Sequence, residues 1–334
     1  MLVKIKARDL RVGMHVVIPA SWFDHPFTTG NFKIKSEDQI LKIVKSGFHE
    51  VQIDTDKGDV QTRPDPDTAG GNNESEAVDI WKPGNLVPPA LLEAIHDKNL
   101  APQKRASVVY ESSIELMGKL LEDPKAENIK EAKQGISEIV NMVFEQDDTS
   151  HYLLRITSHD FYTYTHSVNV GIFGIMLTKE LFRRSDAHDM HELGAAFFLH
   201  DLGKIRIDPA IINKPGRLTD AEMEEMKKHP NFSYKILKET NQLSEECGII
   251  AMQHHEREDG SGYPRGLKGD QIHTYGRVCS VADVYDALTA ERSYKARLSS
   301  FEALKLMKEK MLSHFNQEIF EKFVLLFTEP AHKA

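Results

Sequence analysis

Two short stretches of this chain combine side chains that could act together on a phosphate ester. The first contains His200, Asp201 and Lys204, and the second contains His254 and His255 just before a glycine-rich turn. Imidazole and carboxylate together suit first-row divalent metals, whereas carboxylates alone suit magnesium or calcium. A nearby lysine adds a fixed positive charge for an anionic substrate. The two stretches therefore predict metal-assisted hydrolysis of a phosphoester.

Adjacent candidate ligands within each stretch favour more than one metal ion. Neighbouring residues on a regular helix point about 100° apart, so such a pair does not easily approach a single ion. A carboxylate has two oxygens, however, and can bridge two ions about 3.5–4 Å apart. Asp283 offers a second carboxylate in an otherwise apolar segment. The alternatives are an ion-paired helix end for His200 and Asp201, and a buried cap or salt-bridge partner for Asp283.

Helices must position these residues, because the apolar spacing is helical from about residue 90 onward. The first stretch directly follows an apolar run. Thr219 and Glu222 form a capping-box pattern that opens a helix toward His229, and Ser244 is placed to cap the helix before the second stretch. We therefore predict an all-α domain over residues 90–334.

The beginning of the chain has a different pattern. Residues 1–60 predict a small α+β domain with a possible regulatory role, and residues 61–89, rich in Pro, Gly and acids, predict a flexible linker. Alternation of apolar and charged residues indicates strands. The predicted elements are strands over residues 3–7, 16–18 and 51–53 and a short helix after Ser36.

Composition excludes several classes of protein. The net charge of −9 argues against polymeric nucleic acid as a partner, since a phosphate backbone requires a basic face. The two cysteines, Cys247 and Cys279, are far apart, which excludes a disulfide scaffold and fits a reducing compartment. No signal-peptide pattern is present, and no apolar run approaches the roughly 18 residues that span a bilayer. We expect a cytoplasmic protein without membrane insertion.

One ordered set of motifs is more specific than any single pair. Along the chain it consists of His166, His200-Asp201 with Gly203-Lys204, His229, His254-His255, Gly262-Tyr263-Pro264 and Asp283. This set resembles the HD-GYP subgroup of the HD phosphohydrolases, over residues from about 125 to 325. The first 60 residues are similar to a small domain of unknown function that is often fused ahead of HD-GYP domains.

The resemblance implies a fold, a metal centre and a substrate. The fold is mainly α, an HD-GYP helical bundle preceded by the small α+β domain. Members enclose two or three metal ions, usually iron or manganese, and their usual substrate is cyclic di-GMP. Trinuclear members have a glutamate four residues before the first ligand histidine, where this chain has Tyr162, so we expect two divalent ions per chain. The implied ligands are His166, His200, Asp201, His229, His254, His255 and Asp283, with Asp201 bridging.

The same resemblance assigns catalytic and substrate-binding roles. Two divalent ions lower the pKa of a bridging water, so hydroxide can attack phosphorus in line with the leaving 3′-oxygen. Asp201 and Lys204 are the catalytic candidates, with Lys204 on a non-bridging phosphate oxygen. Arg292 and Lys295 match residues that clamp the phosphates, the alternative being solvated loop charges. The remaining substrate-binding candidates are Gly262, Tyr263 and Pro264, although Tyr263 could instead fix the loop.

Three functions fit these residues. The first is a phosphodiesterase that converts cyclic di-GMP to linear pGpG, with GMP as a possible further product. The second is hydrolysis of another cyclic dinucleotide, such as cyclic GMP-AMP. The third is a cyclic di-GMP receptor with little turnover that signals through residues 1–60. Possible protein partners are a diguanylate cyclase-domain protein, through the Gly-Tyr-Pro segment, and a second copy of the chain in a homodimer.

Overall fold

The chain divides into two compact units, residues 1–82 and 83–334. The computed structural model describes residues 2–6, 10–17, 31–36, 39–40, 43, 50–54, 84, 86–156, 163–182, 185, 187–290 and 297–328. Each unit is described by itself below.

The described part of the first unit is a four-stranded antiparallel sheet in the order β1-β4-β2-β3. Its inner side chains are apolar, and Val16, Ile34, Ile43 and Ile53 are at most 1% exposed. The predicted strands are confirmed, whereas the short third strand was not predicted. The strands are β1 (Leu2–Lys6), β2 (His15–Val17), β3 (Asn31–Lys33) and β4 (Glu50–Asp54).

The second unit is helical, as predicted, so the predicted fold class is confirmed. Its described α-helices are α1 (Pro89–His96), α2 (Pro102–Glu122), α3 (Ala126–Glu145), α4 (Asp147–Ile156), α5 (Thr163–Phe182), α6 (Met190–Leu199), α7 (Pro209–Ile212), α8 (Asp220–Met226), α9 (His229–Glu239), α10 (Glu245–Gln253), α11 (Thr274–Thr289), α12 (Ser300–Lys310) and α13 (Gln317–Leu325). Short 3₁₀ helices lie at Leu202–Arg206, Gly269–Gln271 and Leu312–His314.

Helix α5 is the central element of this unit. Most of its side chains are buried, and it packs against α6 and α11. Helix α10 packs against α6, and α9 packs against the 3₁₀ turn that follows α6. The predicted caps are confirmed, since Thr219 and Glu222 form a capping box and Ser244 Oγ accepts from the backbone N–H of Cys247. These contacts bring the ends of α6, α9 and α10 to one place.

The boundary between the two units falls within the predicted linker, most of which lies outside the described residues. Leu86 and Val87, near the end of that segment, are buried, and their backbone N–H groups both donate to Glu131 Oε1. The chain therefore joins the helical unit a few residues before α1, and the domain limits at residues 60 and 90 stay predictions. Among the described residues, no helix has the length and apolarity required to cross a membrane.

Candidate metal centre

The centre begins where α6 ends. His200 directly follows the helix and Asp201 precedes the 3₁₀ turn, and both are 1% exposed. Ser233 Oγ donates to the His200 carbonyl oxygen (2.9 Å) and accepts from the Gly203 N–H (2.8 Å), which ties this corner to α9. A Cβ on Gly203 would lie 2.1 Å from the carbonyl oxygen of His229. Gly203 therefore allows a close approach of two backbones.

Four imidazoles converge on the carboxylate of Asp201. His229 Nε2 lies 3.2 Å and His254 Nε2 3.8 Å from Oδ1. On the other side, His166 Nε2 and His200 Nε2 each lie 3.3 Å from Oδ2. The two oxygens of this one carboxylate therefore face two different sets of histidines.

The side chains around Asp201 form two groups, in each of which one ligand atom per residue lies within 4.8 Å of the others. Asp201 belongs to both groups. Asp283 also connects the two sides, because its Oδ1 is 3.1 Å from His166 Nε2 and its Oδ2 is 3.4 Å from His255 Nδ1. The structure thus brings all seven predicted ligands together. One group is His166, His200 and Asp201, and the other is Asp201, His229, His254 and His255.

The adjacent histidines His254 and His255 reach the centre where the backbone leaves a helix. The angle of about 100° between neighbours applies to a regular helix, but α10 ends at Gln253 and His254 is its C-terminal cap. Because the backbone turns there, His254 and His255 fall in the same group. This pair therefore does not by itself indicate more than one ion. Among the described residues it is Asp201 that belongs to both groups, and the expectation of two ions stays a prediction.

Backbone carbonyl groups fix the orientation of three of the histidines. An Nδ1–H that donates leaves Nε2 as the free nitrogen, which is the neutral form that binds metals. In each case Nε2 points toward Asp201. The Nδ1 atoms lie at hydrogen-bond distance from the carbonyl oxygens of Phe197 for His200 (2.7 Å), Met226 for His229 (2.8 Å) and Ile250 for His254 (3.0 Å).

His166 is oriented by a carboxylate that sequence reasoning missed. Asp286 is 2% exposed, and its Oδ2 lies 2.7 Å from His166 Nδ1. Its Oδ1 accepts from Asn169 Nδ2 at 2.7 Å. A signal was present, since Asp286 follows Asp283 by three residues on an otherwise apolar helix and so shares its face.

The carboxylates at the centre favour the charged form. Burial is the largest single influence and would raise the pKa of Asp201, but the nearby charge of Lys204 and the contacts with His200 and His166 together outweigh it and hold this pKa well below its usual value. Burial likewise opposes ionisation of Asp283, yet its hydrogen bond with His166 and the proximity of His255 lower its pKa. Both groups are therefore available as anionic metal ligands at neutral pH.

Three of the imidazoles favour the neutral form. Burial lowers the pKa of His229 to about 3 and that of His254 to about 4, and it also lowers the pKa of His255. His166 differs from these three. Burial lowers its pKa, but hydrogen bonds with Asp201, Asp283 and Asp286 together raise the pKa well above its ordinary value.

The residues fit a divalent cation by a test that does not depend on resemblance. His200 Nε2 and Asp201 Oδ1 are fully buried and have no hydrogen-bond partner among the described residues. Leaving such groups unsatisfied costs about 1–3 kcal/mol each, and more for a charged one. A cation between the nitrogens and the carboxylate would satisfy both atoms. The mixture of imidazole nitrogen and carboxylate oxygen suits first-row metals such as iron and manganese.

Lys204 and the Gly-Tyr-Pro segment border the centre. Lys204 Nζ is hydrogen-bonded to Asp201 Oδ2 and is partly exposed. The Tyr263 ring lies 4.5 Å from the His255 ring, centroid to centroid, with 31° between their planes. A Cβ on Gly262 would lie 2.5 Å from backbone atoms of residues 255–257, so only glycine permits this fold. The peptide bond between Tyr263 and Pro264 is cis.

Glu256 has a role that sequence reasoning did not identify. Its side chain is buried, and its two oxygens accept from the backbone N–H groups of Arg265 (2.8 Å) and Leu267 (2.9 Å). This carboxylate therefore closes the loop that carries Tyr263. Three other residues used in the sequence argument, Tyr162, Arg292 and Lys295, lie outside the described residues.

Family models match both parts of the chain. A model described as "HD domain" matches residues 174–319, which include every predicted ligand except His166. A model described as "Domain of unknown function (DUF3391)" matches residues 2–134. The second match continues beyond the first compact unit and includes α1 and α2.

Three similar proteins are named as phosphodiesterases of cyclic dinucleotides. The chain is 33% identical over 329 residues to cyclic di-GMP phosphodiesterase PA4108 of Pseudomonas aeruginosa, covering 97% of this chain and 76% of that protein. It is 35% identical to a cyclic di-GMP phosphodiesterase of Thermotoga maritima, covering 60% of this chain and 54% of that protein. It is 37% identical to 3′3′-cGAMP-specific phosphodiesterase 3 of Vibrio cholerae, covering 48% of this chain and 34% of that protein.

A solved structure has the same fold at low sequence identity. It is described as Bd1817, an HDG"Y"P protein from Bdellovibrio bacteriovorus, and it matches with a TM-score of 0.65 at 17% identity over 97% of this chain and 98% of that one. The relation to the Pseudomonas protein extends over nearly the whole chain. This protein therefore belongs to the HD-domain family of cyclic di-GMP phosphodiesterases.

Proposed function

We propose that this protein is a metal-dependent phosphodiesterase that hydrolyses cyclic di-GMP to linear pGpG. The observation that carries the proposal is the position of Asp201, whose carboxylate belongs to two groups of candidate ligands at once. Iron or manganese is the proposed metal, with two ions per chain. The names of the relatives support cyclic di-GMP as the substrate.

Some side chains of the centre would hold the ions, and others would place the substrate. Bound divalent cations make water a stronger acid and offset negative charge on a phosphodiester. Asp201 presents Oδ1 to His229 and Oδ2 to His166, so one residue fixes the spacing of both ligand groups. Asp283 repeats this bridging arrangement from α11.

Lys204 is the proposed substrate contact closest to the centre. It is paired with Asp201 and retains 17% side-chain exposure, so its ammonium can turn toward a non-bridging phosphate oxygen. A hydrogen bond between charged partners there contributes roughly 1.5–3 kcal/mol. Tyr263, which lies against His255, borders the same site, and we propose that its ring contacts the substrate. Roles for Arg292 and Lys295 on the phosphates, and for Gly262 and Pro264 beside them, stay predictions.

A second substrate has specific support. The Vibrio relative that is named for 3′3′-cGAMP is 37% identical over 159 residues, so the same centre could act on that dinucleotide. A receptor with little turnover is the remaining alternative. The arrangement of six further candidate ligands around Asp201 favours an enzyme, because recognition of a ligand does not require such a set.

A product assay tests the proposal. Protein purified without oxygen is loaded with Fe(II) or Mn(II) and incubated separately with cyclic di-GMP and 3′3′-cGAMP, and the products are separated by chromatography. We expect pGpG from cyclic di-GMP, faster than any linear product from 3′3′-cGAMP, and no product after chelation. The amount of GMP shows whether the reaction continues to the mononucleotide. Tight binding of cyclic di-GMP by metal-loaded protein without linear product would contradict the proposal and support a receptor.

A further inference from the structure

A chain of buried hydrogen bonds connects the centre to helix α2. Tyr110 OH lies 2.8 Å from Asn169 Oδ1, and Asn169 Nδ2 lies 2.7 Å from Asp286 Oδ1. Asp286 Oδ2 in turn lies 2.7 Å from His166 Nδ1. All four side chains are at most 6% exposed. The chain therefore runs from α2 through α5 and α11 to a candidate metal ligand.

The direction of each hydrogen bond is fixed by chemistry. A carboxylate only accepts, so Asp286 must receive N–H groups from both His166 and Asn169. Asn169 then turns its amide NH₂ toward Asp286 and its carbonyl oxygen toward Tyr110, whose hydroxyl must donate. Because each partner dictates the orientation of the next, the hydroxyl of Tyr110 helps determine how His166 presents Nε2 to Asp201 and Asp283.

We propose that Tyr110 and Asn169 are positioning residues that orient His166 through Asp286 and so tune one of the two metal sites. The inference rests on the proposed metal centre. It is specific to one side, because the chain reaches His166 and Asp286 but none of His229, His254 and His255. Partners behind a ligating histidine typically change metal affinity by about 10–100-fold when they are removed.

Tyr110 lies in a region that connects the row of hydrogen bonds to the second family match. Helix α2 lies within the residues that match the domain of unknown function, although it packs as part of the helical unit. It is held there partly by buried Arg105, which donates to the Ala94 carbonyl oxygen and to Thr149 Oγ1. The region matched by that model thus supplies a side chain that acts on the metal centre.

Metal release from three variants tests the proposal. Protein is loaded with Mn(II) to its full content, and release to excess chelator is followed with a metal-sensitive dye. For Asn169→Ala we expect about a tenfold faster release of one ion per chain, with the other ion unchanged. For Tyr110→Phe, which removes a single oxygen atom, we expect a smaller acceleration of the same ion. Ser113→Ala is the matched control, because Ser113 is a buried hydroxyl on the same helix that donates to the carbonyl oxygen of Val109.

The pattern of release separates positioning from general loosening of the fold. A purely structural role would accelerate both ions together or lower only the melting temperature. Either result for Tyr110→Phe, which is the mildest change and should fold normally, would overturn the proposal, as would release identical to that of the Ser113→Ala control. Wild-type protein that binds no metal would overturn the proposed function, and this inference with it.

Discussion

The centre around Asp201 and the loop closed by Glu256 each bury a carboxylate to 1% exposure, but they surround it differently. Both oxygens of Glu256 accept backbone N–H groups, so each of them has a hydrogen-bond partner within the loop. Asp201 is surrounded by imidazoles and Lys204, and its Oδ1 has no hydrogen-bond partner among the described residues. The first environment stabilises a loop, and the second leaves bonding capacity for a cation.

This contrast separates two residues that are alike in sequence. Both are acidic residues next to a histidine, and both lie in motifs whose side chains could bind a metal or take part in a reaction. Burial does not distinguish them. The geometry of their partners does, since each oxygen of Glu256 accepts a backbone N–H group, whereas Asp201 faces two sets of imidazole nitrogens. Replacing each in turn should therefore have different consequences.

The largest effect is expected for Asp201→Asn. Loss of the shared anion should abolish binding of at least one ion and lower kcat by about a thousandfold or more, because metal assistance contributes several kcal/mol to such reactions. Metal content and pGpG formation are measured together. Asp208→Asn is the matched control, since Asp208 is a nearby exposed carboxylate that caps α7. Wild-type activity in Asp201→Asn would contradict the assignment.

A smaller loss is expected for Lys204→Gln. The substitution removes a charge but no proposed ligand, so both ions should remain bound. Loss of a charged hydrogen bond to phosphate corresponds to about 10–100-fold in kcat/KM. Steady-state kinetics and metal analysis on the same sample measure this. Loss of metal without a kinetic effect on the remaining loaded protein would show that Lys204 supports Asp201 and does not touch the substrate.

Glu256→Gln should affect stability more than metal binding. The amide group of glutamine would face a backbone N–H, leaving a buried donor unsatisfied at a cost of about 1–3 kcal/mol in the free energy of unfolding. Urea unfolding of metal-free protein measures this, and metal content should stay at the wild-type value. If Glu256→Gln lost its metal while its unfolding was unchanged, the contrast between the two carboxylates would be wrong.

The metal-free protein should lose stability in mild acid. His229 and His254 have pKa values of about 3 and 4 when folded, against about 6.5 when unfolded. Between pH 6.5 and 4 the unfolded state therefore binds more protons, and the free energy of unfolding falls by about 1.4 kcal/mol per pH unit for each imidazole. Below about pH 5.5, His166, whose pKa is raised, is protonated in both states and adds no slope.

The effect is measured by urea unfolding at several pH values. The carboxylates of Asp201 and Asp283, whose pKa values are lowered, add a further loss near and below pH 4. Loading with metal should raise the free energy of unfolding but keep this dependence, because the cation holds the imidazoles neutral in the folded state while the unfolded state still binds protons. A flat profile for the metal-free protein would mean that the imidazoles are not confined as the structure shows.

The sequence predicted the elements of the site better than its internal connections. Polar residues in apolar helices, such as His166 and Asp283, are visible in one sequence because burying them requires a partner. The caps at Thr219 and Ser244 were visible because capping is local. The partner of His166 was not, since Asp286 lies 120 residues away and only packing of α5 against α11 brings it near.

Two other features depended on backbone geometry that no local pattern encodes. Strand β3 is three residues long and has no clear alternation, so it was not predicted. Gly203 lies inside the 3₁₀ turn and permits contact with α9. Such close approaches are decided by how distant helices pack. The consequence drawn from Tyr162, a count of two ions, stays a prediction.

X-ray absorption of fully Mn(II)-loaded protein tests most directly whether Asp201 is shared between two ions. We expect two ions per chain and a metal–metal distance of about 3.5–4 Å, the separation that one bridging carboxylate supports. The metal–metal scattering should disappear in Asp201→Asn. One ion per chain at saturation, or two ions without a metal–metal contribution, would contradict the central claim.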